Sequence, residues 1–434
     1  MLIHLIKKSQ LYFIFSFGLL IVFGTLVLKI PFAMRPEAGA LSWVDAVFTA
    51  TSAVCVTGLT TVPLSDMTFF GQMVVLFLIQ LGGLGVMTLS TSILLALGRN
   101  MSIGTSMMFS TLNETVPFHH SESLVRTITT YTFGIEAAGT ILLSIGFFLS
   151  GHSPLYAVYL GFFHSISAFC NAGFSTFDTS MIGQSAFVRI VIAMLILCGG
   201  LGMYVIYDLV QWYKSRKRLS VNTRLILVAS AILVVGGTLG IKLLESVSGD
   251  GISYMDALFQ AISARTAGFN SVDLNGLSQS CLMLLIILML IGAAPGSTGG
   301  GIKLTGVALA VISIYNTFCG NQRVLLFKRE IPISNVLKSF TMIITYVLLT
   351  LIGAMLLSVT LTDRMLSATF EAASAVGTVG LSLGVTAATS ELGKITLIVL
   401  MFIGRIGPFT LFLFLMGREK ASLLQYPEER VVIG

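Results

Sequence analysis

The chain of 434 residues is 55% hydrophobic and only 10% charged, with a mean hydropathy of +0.94; soluble domains carry roughly 25% charged residues, so a soluble enzyme is excluded. The net charge of +6 comes from 25 Lys and Arg against 19 Asp and Glu, a balance that implies no nucleic-acid partner. Five cysteines, an odd number without CxxC spacing, suggest neither a disulfide framework nor a metal site.

In chain order, the first apolar run covers residues 11–28 and is followed by Lys29-Ile30-Pro31 rather than a small-residue cleavage site, so it reads as a span and not as a signal peptide. Further runs cover 74–97, 190–210, 225–241, 283–291, 342–359 and 395–416, mostly of bilayer-spanning length, about 20 residues. Eight spans fit best. Basic residues cluster at every second boundary: Lys7 and Lys8; Lys214, Arg216, Lys217, Arg218 and Arg224; Arg323, Lys328, Arg329 and Lys338; Arg418 and Lys420. The positive-inside rule makes those segments, and both termini, cytoplasmic. The two tryptophans, Trp43 and Trp212, fall at an outer and an inner interface, where amphipathic rings prefer to sit.

Between the spans an internal repeat decides the architecture. Residues 48–59, 163–174, 259–269 and 370–381 each run from Phe through a Ser-Ala pair to a glycine followed by a large apolar residue, those glycines being Gly58, Gly173, Gly268 and Gly380. These segments are too short and too rich in Ala, Ser and Thr to cross a bilayer, so each predicts a half-helix with a return. Start signals support this: Ser42 with Asp45, and Ser253 with Asp256, form capping boxes, and Ser153-Pro154 puts proline at a first helical position. A second echo, about 24 residues on, contains Gly82-Gly83, Gly199-Gly200, Gly292 and Gly404.

The predicted fold is an all-α integral membrane protein with four M1-P-M2 repeats, eight transmembrane helices plus four re-entrant pore helices around a central pore. Repeat 1 covers 1–98 with its pore loop at 42–62, and repeat 2 covers 99–213 with its loop at 153–177. Repeat 3 covers 214–319, with its loop at 253–271 and a broken second helix at 281–315. Repeat 4 covers 320–434, with its loop at 363–384 and a cytoplasmic C-terminal tail. Joining loops are expected near 98–127, 212–224 and 316–338.

Extended backbone at membrane depth is tolerated only where it lines water or is buried in protein. Four such strands must meet on an axis, where rings of carbonyls replace a cation's hydration shell and glycine supplies positive φ without a Cβ clash. The half-helices end with their carbonyls toward the axis, which favours a cation. No acidic ring lies in the glycine segments, which points to carbonyl selectivity and to potassium over calcium. The expected ligating backbone is Val56, Thr57 and Gly58; Asn171, Ala172 and Gly173; Thr266, Ala267 and Gly268; Thr378, Val379 and Gly380. Four copies in register disfavour the alternative of a plain small-residue packing motif.

These glycine segments, the string RTAGFNS at 265–271 and the string APGSTGGGIK at 294–303 closely resemble the Trk/Ktr/HKT superfamily of potassium transporters, and most of all the membrane subunits of bacterial Ktr systems. The resemblance covers nearly the whole chain. It implies potassium uptake across the cell membrane by a homodimer with one pore per subunit, docked on a cytosolic ring of KtrA-type nucleotide-binding subunits, with sodium dependence and no cofactor in this chain. In the superfamily a serine at the first filter glycine goes with sodium permeation, whereas this chain has Gly58. Compared with a TVGYG filter, the second glycine is replaced by Thr60, Ser175, Asn270 and Ser382, so fewer well-shaped ion sites are expected. The third repeat is one residue shorter before Gly268, which leaves the register of Arg265 open.

Two features suggest a gate. Arg405 sits mid-span beside Gly404, Gly407 and Pro408, and a lone intramembrane arginine needs a watery cavity or a partner; it reads as a positive barrier below the filter or a tether to carbonyls. In repeat 3, Pro295 and the glycines around Gly296, Ser297, Thr298, Gly299, Gly300, Gly301 and Lys303 break the helix, and the resemblance implies a mobile intramembrane loop that blocks the pore. The glycines are not a phosphate loop, because no G-K-[ST] follows them. Glu136 is the other isolated intramembrane charge, read as a paired structural carboxylate, and His164 is read as a packing or hydrogen-bonding residue. The alternatives weighed are a secondary transporter of another solute with alternating access at the broken helix and an intramembrane hydrolase, which lacks a convincing base.

Overall fold

A computed structural model describes residues 2–85, 121–216, 218–248, 251–321, 323–360 and 365–408. Most of the expected 98–127 loop, Lys217, Arg418, Lys420 and the C-terminal tail lie outside the described residues.

A long helix α1 (Leu2–Leu28) leads to a short α2 (Trp43–Val54) and then to an apolar α3 (Phe69–Leu84). The same order recurs as α4 (Ser121–Leu149), α5 (Pro154–Phe169) and α6 (Ala186–Gly200), after which α7 (Met203–Ser215) leaves at a sharp bend. It recurs again as α8 (Val221–Ser248), α9 (Tyr254–Ser263) and α10 (Gln279–Leu290), followed across a loop by α11 (Leu304–Phe318). A two-residue hairpin, β1 (Leu325–Leu326) against β2 (Arg329–Glu330), precedes α12 (Ile333–Thr360), α13 (Met365–Gly377), the single turn α14 (Val385–Ala388) and α15 (Glu391–Ile406).

The short helices start where the sequence places their caps. The Ser42 hydroxyl accepts from the Asp45 amide and donates to its carboxylate, and Ser253 does the same with Asp256. Each such cap is worth about 1 kcal/mol.

Among the described residues three helical stretches are long and apolar enough to cross a bilayer alone: Val125–Leu149, Val221–Ser248 and Ile333–Thr360. The pair α6 and α7 makes a fourth if taken as one span, although it bends by 92°. The sequence reads 190–210 as one run of spanning length, and the structure bends that run. Gly202 at φ 85° takes the chain out of the helix, and the amides and carbonyls freed there pair with the segment after α10: Met203 N donates to Gly296 O at 3.0 Å, and Ala294 N donates to Gly200 O at 3.2 Å. α3 and α15 likewise stop at glycines of positive φ, Gly85 at 77° and Gly407 at 86°.

Packing links each unit to the short helix of the next. Phe17, Val75 and Leu78 of the first unit share a core with Phe163, Phe169 and Phe174; Leu143, Val188 and Ile192 of the second share one with Phe259 and Phe269. Ile241, Cys281 and Leu285 of the third pack with Phe370 and Leu381, and Tyr346, Leu397 and Met401 of the fourth pack with Phe48 and Leu59. Lipid is as apolar as these side chains, so the gain comes from close packing, about 0.1–0.2 kcal/mol per atom pair, rather than from removal of water. Polar clasps reinforce three of these junctions: Lys394 of α15 with Asp45 of α2 at 2.7 Å, Tyr159 of α5 with Gln72 of α3, and Arg189 of α6 with Asp256 of α9. The cysteines are all free, with Cys55, Cys170 and Cys281 buried in the packing.

Candidate functional site

The four short helices end in turns that bring Gly58, Gly173, Gly268 and Gly380 into one closed ring. A methyl group built on Gly58 would lie 3.2 Å from the Cα of Gly173; on Gly173, 2.9 Å from that of Gly268; on Gly268, 3.2 Å from that of Gly380; and on Gly380, 3.0 Å from that of Gly58. Each such methyl would also run into the carbonyl oxygen preceding the neighbouring glycine, that of Ala172, Ala267, Val379 or Thr57. All four glycines have positive φ, between 70° and 95°, where a side chain is strained as well as crowded.

Two residues before each glycine the backbone is again left-handed, although no glycine is there: Val56, Asn171, Thr266 and Thr378 have φ of 56°, 58°, 73° and 49°. Such outliers cost on the order of 1–3 kcal/mol each and persist only where the surroundings over-determine them. The surroundings do so here through the serine of each Ser-Ala pair. The amides of Thr57, Ala172, Ala267 and Val379 donate to the carbonyls of Ser52, Ser167, Ser263 and Ser374 at 2.7–2.9 Å. The hydroxyls of the same serines complete the tie. Ser52 and Ser374 accept from the amides of Gly58 (3.1 Å) and Gly380 (3.0 Å), while Ser167 and Ser263 donate to the carbonyls of Phe174 (2.7 Å) and Phe269 (2.6 Å).

This geometry fixes the register of the third repeat. Thr266 matches Val56, Asn171 and Thr378, so the missing residue is absorbed where α9 ends at Ser263. Arg265 then takes the place of Cys55, Cys170 and Gly377, and its guanidinium lies 3.5 Å from Ser230 on α8 instead of in the ring.

Above the ring lies a cavity of about 310 Å³ lined by the four glycines and by Thr60, Ser175, Asn270 and Ser382. Below it runs the segment between α10 and α11. Its ends are zipped, Gly292 N donating to Ile302 O at 2.8 Å and Ile302 N to Leu290 O at 3.1 Å. Its middle presses on the ring from beneath, since a methyl on Gly299 or on Gly300 would strike the hydroxyl of Thr266 or Thr378. The Thr298 hydroxyl donates toward Phe169 O and Gly199 O, both at 3.2 Å, and Ser297 N donates to Ala294 O at 3.2 Å. Gly296 and Gly301, at φ 69° and 70°, turn the chain at either side.

Both predicted cations bind this segment. Lys303 Nζ donates to Gly299 O at 2.8 Å. Arg405 donates one terminal nitrogen to Thr298 O and the other to Gly82 O, with Gly83 O at 3.5 Å. The arginine therefore bridges the loop, α3 and its own α15. The echo glycines serve close packing instead, since a methyl on Gly82, Gly199 or Gly404 would collide with a carbonyl in the final turn of a short helix, that of Val54, Phe169 or Val376.

Glu136 of α4 accepts both carboxylate bonds from Gln80 Nε2 of α3, at 3.0 and 3.1 Å, a polar pairing between two units. His164 Nδ1 lies 2.8 Å from Leu160 O, and its Nε2 lies 3.1 Å from Ser175 Oγ. A carbonyl can only accept, so Nδ1 carries the proton and Nε2 accepts from the serine.

Comparison with known proteins gives the family. The family described as "TrkH: Cation transport protein" matches residues 22–423. The chain belongs to that family. It is 35% identical to the Ktr system potassium uptake protein D of Bacillus subtilis over 447 residues, covering 100% of this chain and 98% of the relative. It is 37% identical to the Ktr system potassium uptake protein B of Vibrio alginolyticus over 409 residues, covering 92% and 90%. These full-length likenesses make it a KtrB-type member of the Trk/Ktr superfamily. The crystal structure of the potassium transporter TrkH from Vibrio parahaemolyticus shares the fold, with a TM-score of 0.72 at 22% identity over 94% of this chain and 85% of that one. The protein is thus a largely helical membrane protein of a cation-transport family.

Sequence reading passed over the roles of Ser52, Ser167, Ser263 and Ser374, though the Ser-Ala pairs align the repeats. It singled out His164 but passed over the column to which that residue belongs, the position after each repeat phenylalanine, which also bears Thr49, Gln260 and Glu371. All four are buried, and a polar residue in the same column of four apolar segments was the available signal.

Proposed function

We propose that the chain takes up potassium ions across the cell membrane through a filter formed by four M1-P-M2 repeats, eight transmembrane helices with four re-entrant pore helices, with the repeat limits given by the sequence. The ligands are the backbone carbonyls of Val56 to Gly58, Asn171 to Gly173, Thr266 to Gly268 and Thr378 to Gly380. The observation that carries this reading is the closed ring of four glycines, with left-handed backbone recurring two residues before each. Rings of carbonyls replace a cation's water, and the C-terminal ends of four short helices favour positive charge at the same place.

The loop from Gly296 to Gly301 is the gate, in its closed position here, with Arg405 and Lys303 holding it and adding positive charge below the ring. The names of the Ktr relatives indicate a multi-component system. We assign the chain accordingly as a homodimer controlled by a cytosolic KtrA-type nucleotide-binding ring, with both termini cytoplasmic, no cofactor of its own and sodium-dependent uptake.

The test is cation flux into liposomes containing the purified chain, compared with Gly58→Ser. The serine Cβ would press on Ala172 O and Gly173, so the ring must deform and potassium preference over sodium should fall by at least fivefold. An unchanged ion profile in a folded Gly58→Ser protein would refute the filter.

A further inference from the structure

The fourth repeat differs from the others just behind the filter. Glu371, the residue after the repeat phenylalanine, is only 1% exposed, and three donors from the stretch beyond Gly380 converge on its carboxylate. Ser382 Oγ (2.6 Å) and Leu383 N (3.0 Å) donate to Oε1, and Thr386 Oγ1 (2.7 Å) donates to Oε2. Ser382 Oγ in turn accepts from Gly384 N at 2.9 Å. The second repeat has a neutral counterpart, the bond between His164 and Ser175. Among the described residues no lysine or arginine forms an ion pair with Glu371.

The stretch that Glu371 gathers is a wall of the cavity above the ring, which Ser382, Gly384 and Thr386 line together with Gly380. An ionised carboxylate only accepts hydrogen bonds, and donors converging on it favour that charged form. Buried charge without a counter-ion is expensive, and a cation at the mouth of the ring supplies the opposite charge.

We infer that Glu371 is a positioning residue for the outer end of the filter: it holds the fourth segment in place and sets a fixed negative charge behind the outermost cation position, so that one quarter of the ring raises affinity for the entering ion. This rests on reading the glycine ring as a cation filter. The other three quarters carry neutral residues in this position, Thr49, His164 and Gln260, so the field is one-sided.

The experiment measures potassium and sodium uptake by the full chain in liposomes, with initial rates against cation concentration, for Glu371→Gln, Glu371→Asp, Ser382→Ala and Gly380→Ser. Glu371→Gln should raise the potassium KM on the order of tenfold, the size of a charge interaction over roughly 10 Å at an effective dielectric of about 20, with a smaller change in maximal rate. Glu371→Asp should restore most of the affinity, and Ser382→Ala should lower potassium preference while keeping the charge. A residue that served only to stabilise the fold would lower the melting temperature and leave KM and preference alone. Wild-type KM and preference in Glu371→Gln, beside a changed ion profile in Gly380→Ser, would overturn the inference while leaving the filter standing. An unchanged profile in Gly380→Ser would remove the filter and the inference with it. Should Glu371→Gln not fold, Ser382→Ala and Thr386→Val decide, and wild-type preference in both would overturn the inference.

Discussion

Replacing Arg405 with alanine should open the path below the ring. The side chain spans from α15 to Thr298 O in the loop and to Gly82 O in α3, so two charge-assisted bonds hold the loop against the rest of the protein. Hydrogen bonds to charged groups contribute about 1.5–3 kcal/mol each. Only the bond to Thr298 joins the loop directly, so its loss alone shifts the balance between closed and displaced loop by about 1.5–3 kcal/mol, or roughly 10- to 150-fold. Removal of a positive charge beside the proposed ion path acts in the same direction. Basal potassium efflux from liposomes holding Arg405→Ala, without any regulatory partner, should rise at least tenfold. Arg405→Lys keeps a charge but cannot reach two carbonyls at once with a planar fork, so its flux should fall between the two. Wild-type flux in a monodisperse Arg405→Ala protein would refute the gating role.

A methyl group at Gly300 would meet the Thr378 hydroxyl, so Gly300→Ala should push the loop off the ring and raise basal flux severalfold, read in the same assay. The 2.7 Å pair of Lys394 and Asp45, with side chains 16% exposed, joins the fourth repeat to the first. Lys394→Met should therefore lower the detergent melting temperature by several degrees, because removing one partner of a largely buried pair strands the other; a melting temperature within one degree of wild type would contradict this.

The short helices were legible because their signals are local. A serine three residues before an aspartate, or a proline after a serine, fixes a helix start with few alternatives, and the helices begin at Trp43, Tyr254 and Pro154. The ring glycines were legible because a position that lacks room for any Cβ admits one residue type, and four such positions stand at matching places in the repeat. The bend at Gly202 was not, because residues 190–207 carry neither a charge nor a proline and the partner that stabilises the bend, Gly296, is 94 residues away in the chain. The same holds for Arg405: its isolation in an apolar stretch announced a partner, but the carbonyls of Thr298 and Gly82 carry no side-chain signature. The register of Arg265 needed the backbone itself, since only the left-handed conformation at Thr266 shows where the shorter repeat absorbs its deficit.

Because the ring is built by one polypeptide, its quarters need not be copies. Val56-Thr57, Asn171-Ala172, Thr266-Ala267 and Thr378-Val379 present similar peptide oxygens from different side chains, so the chemistry at the axis is insulated from divergence around it. On the proposed reading, four identical subunits would have to place four gate loops and four arginines on one narrow axis, where they would exclude each other. A single chain needs one of each, a state that four identical copies cannot reach.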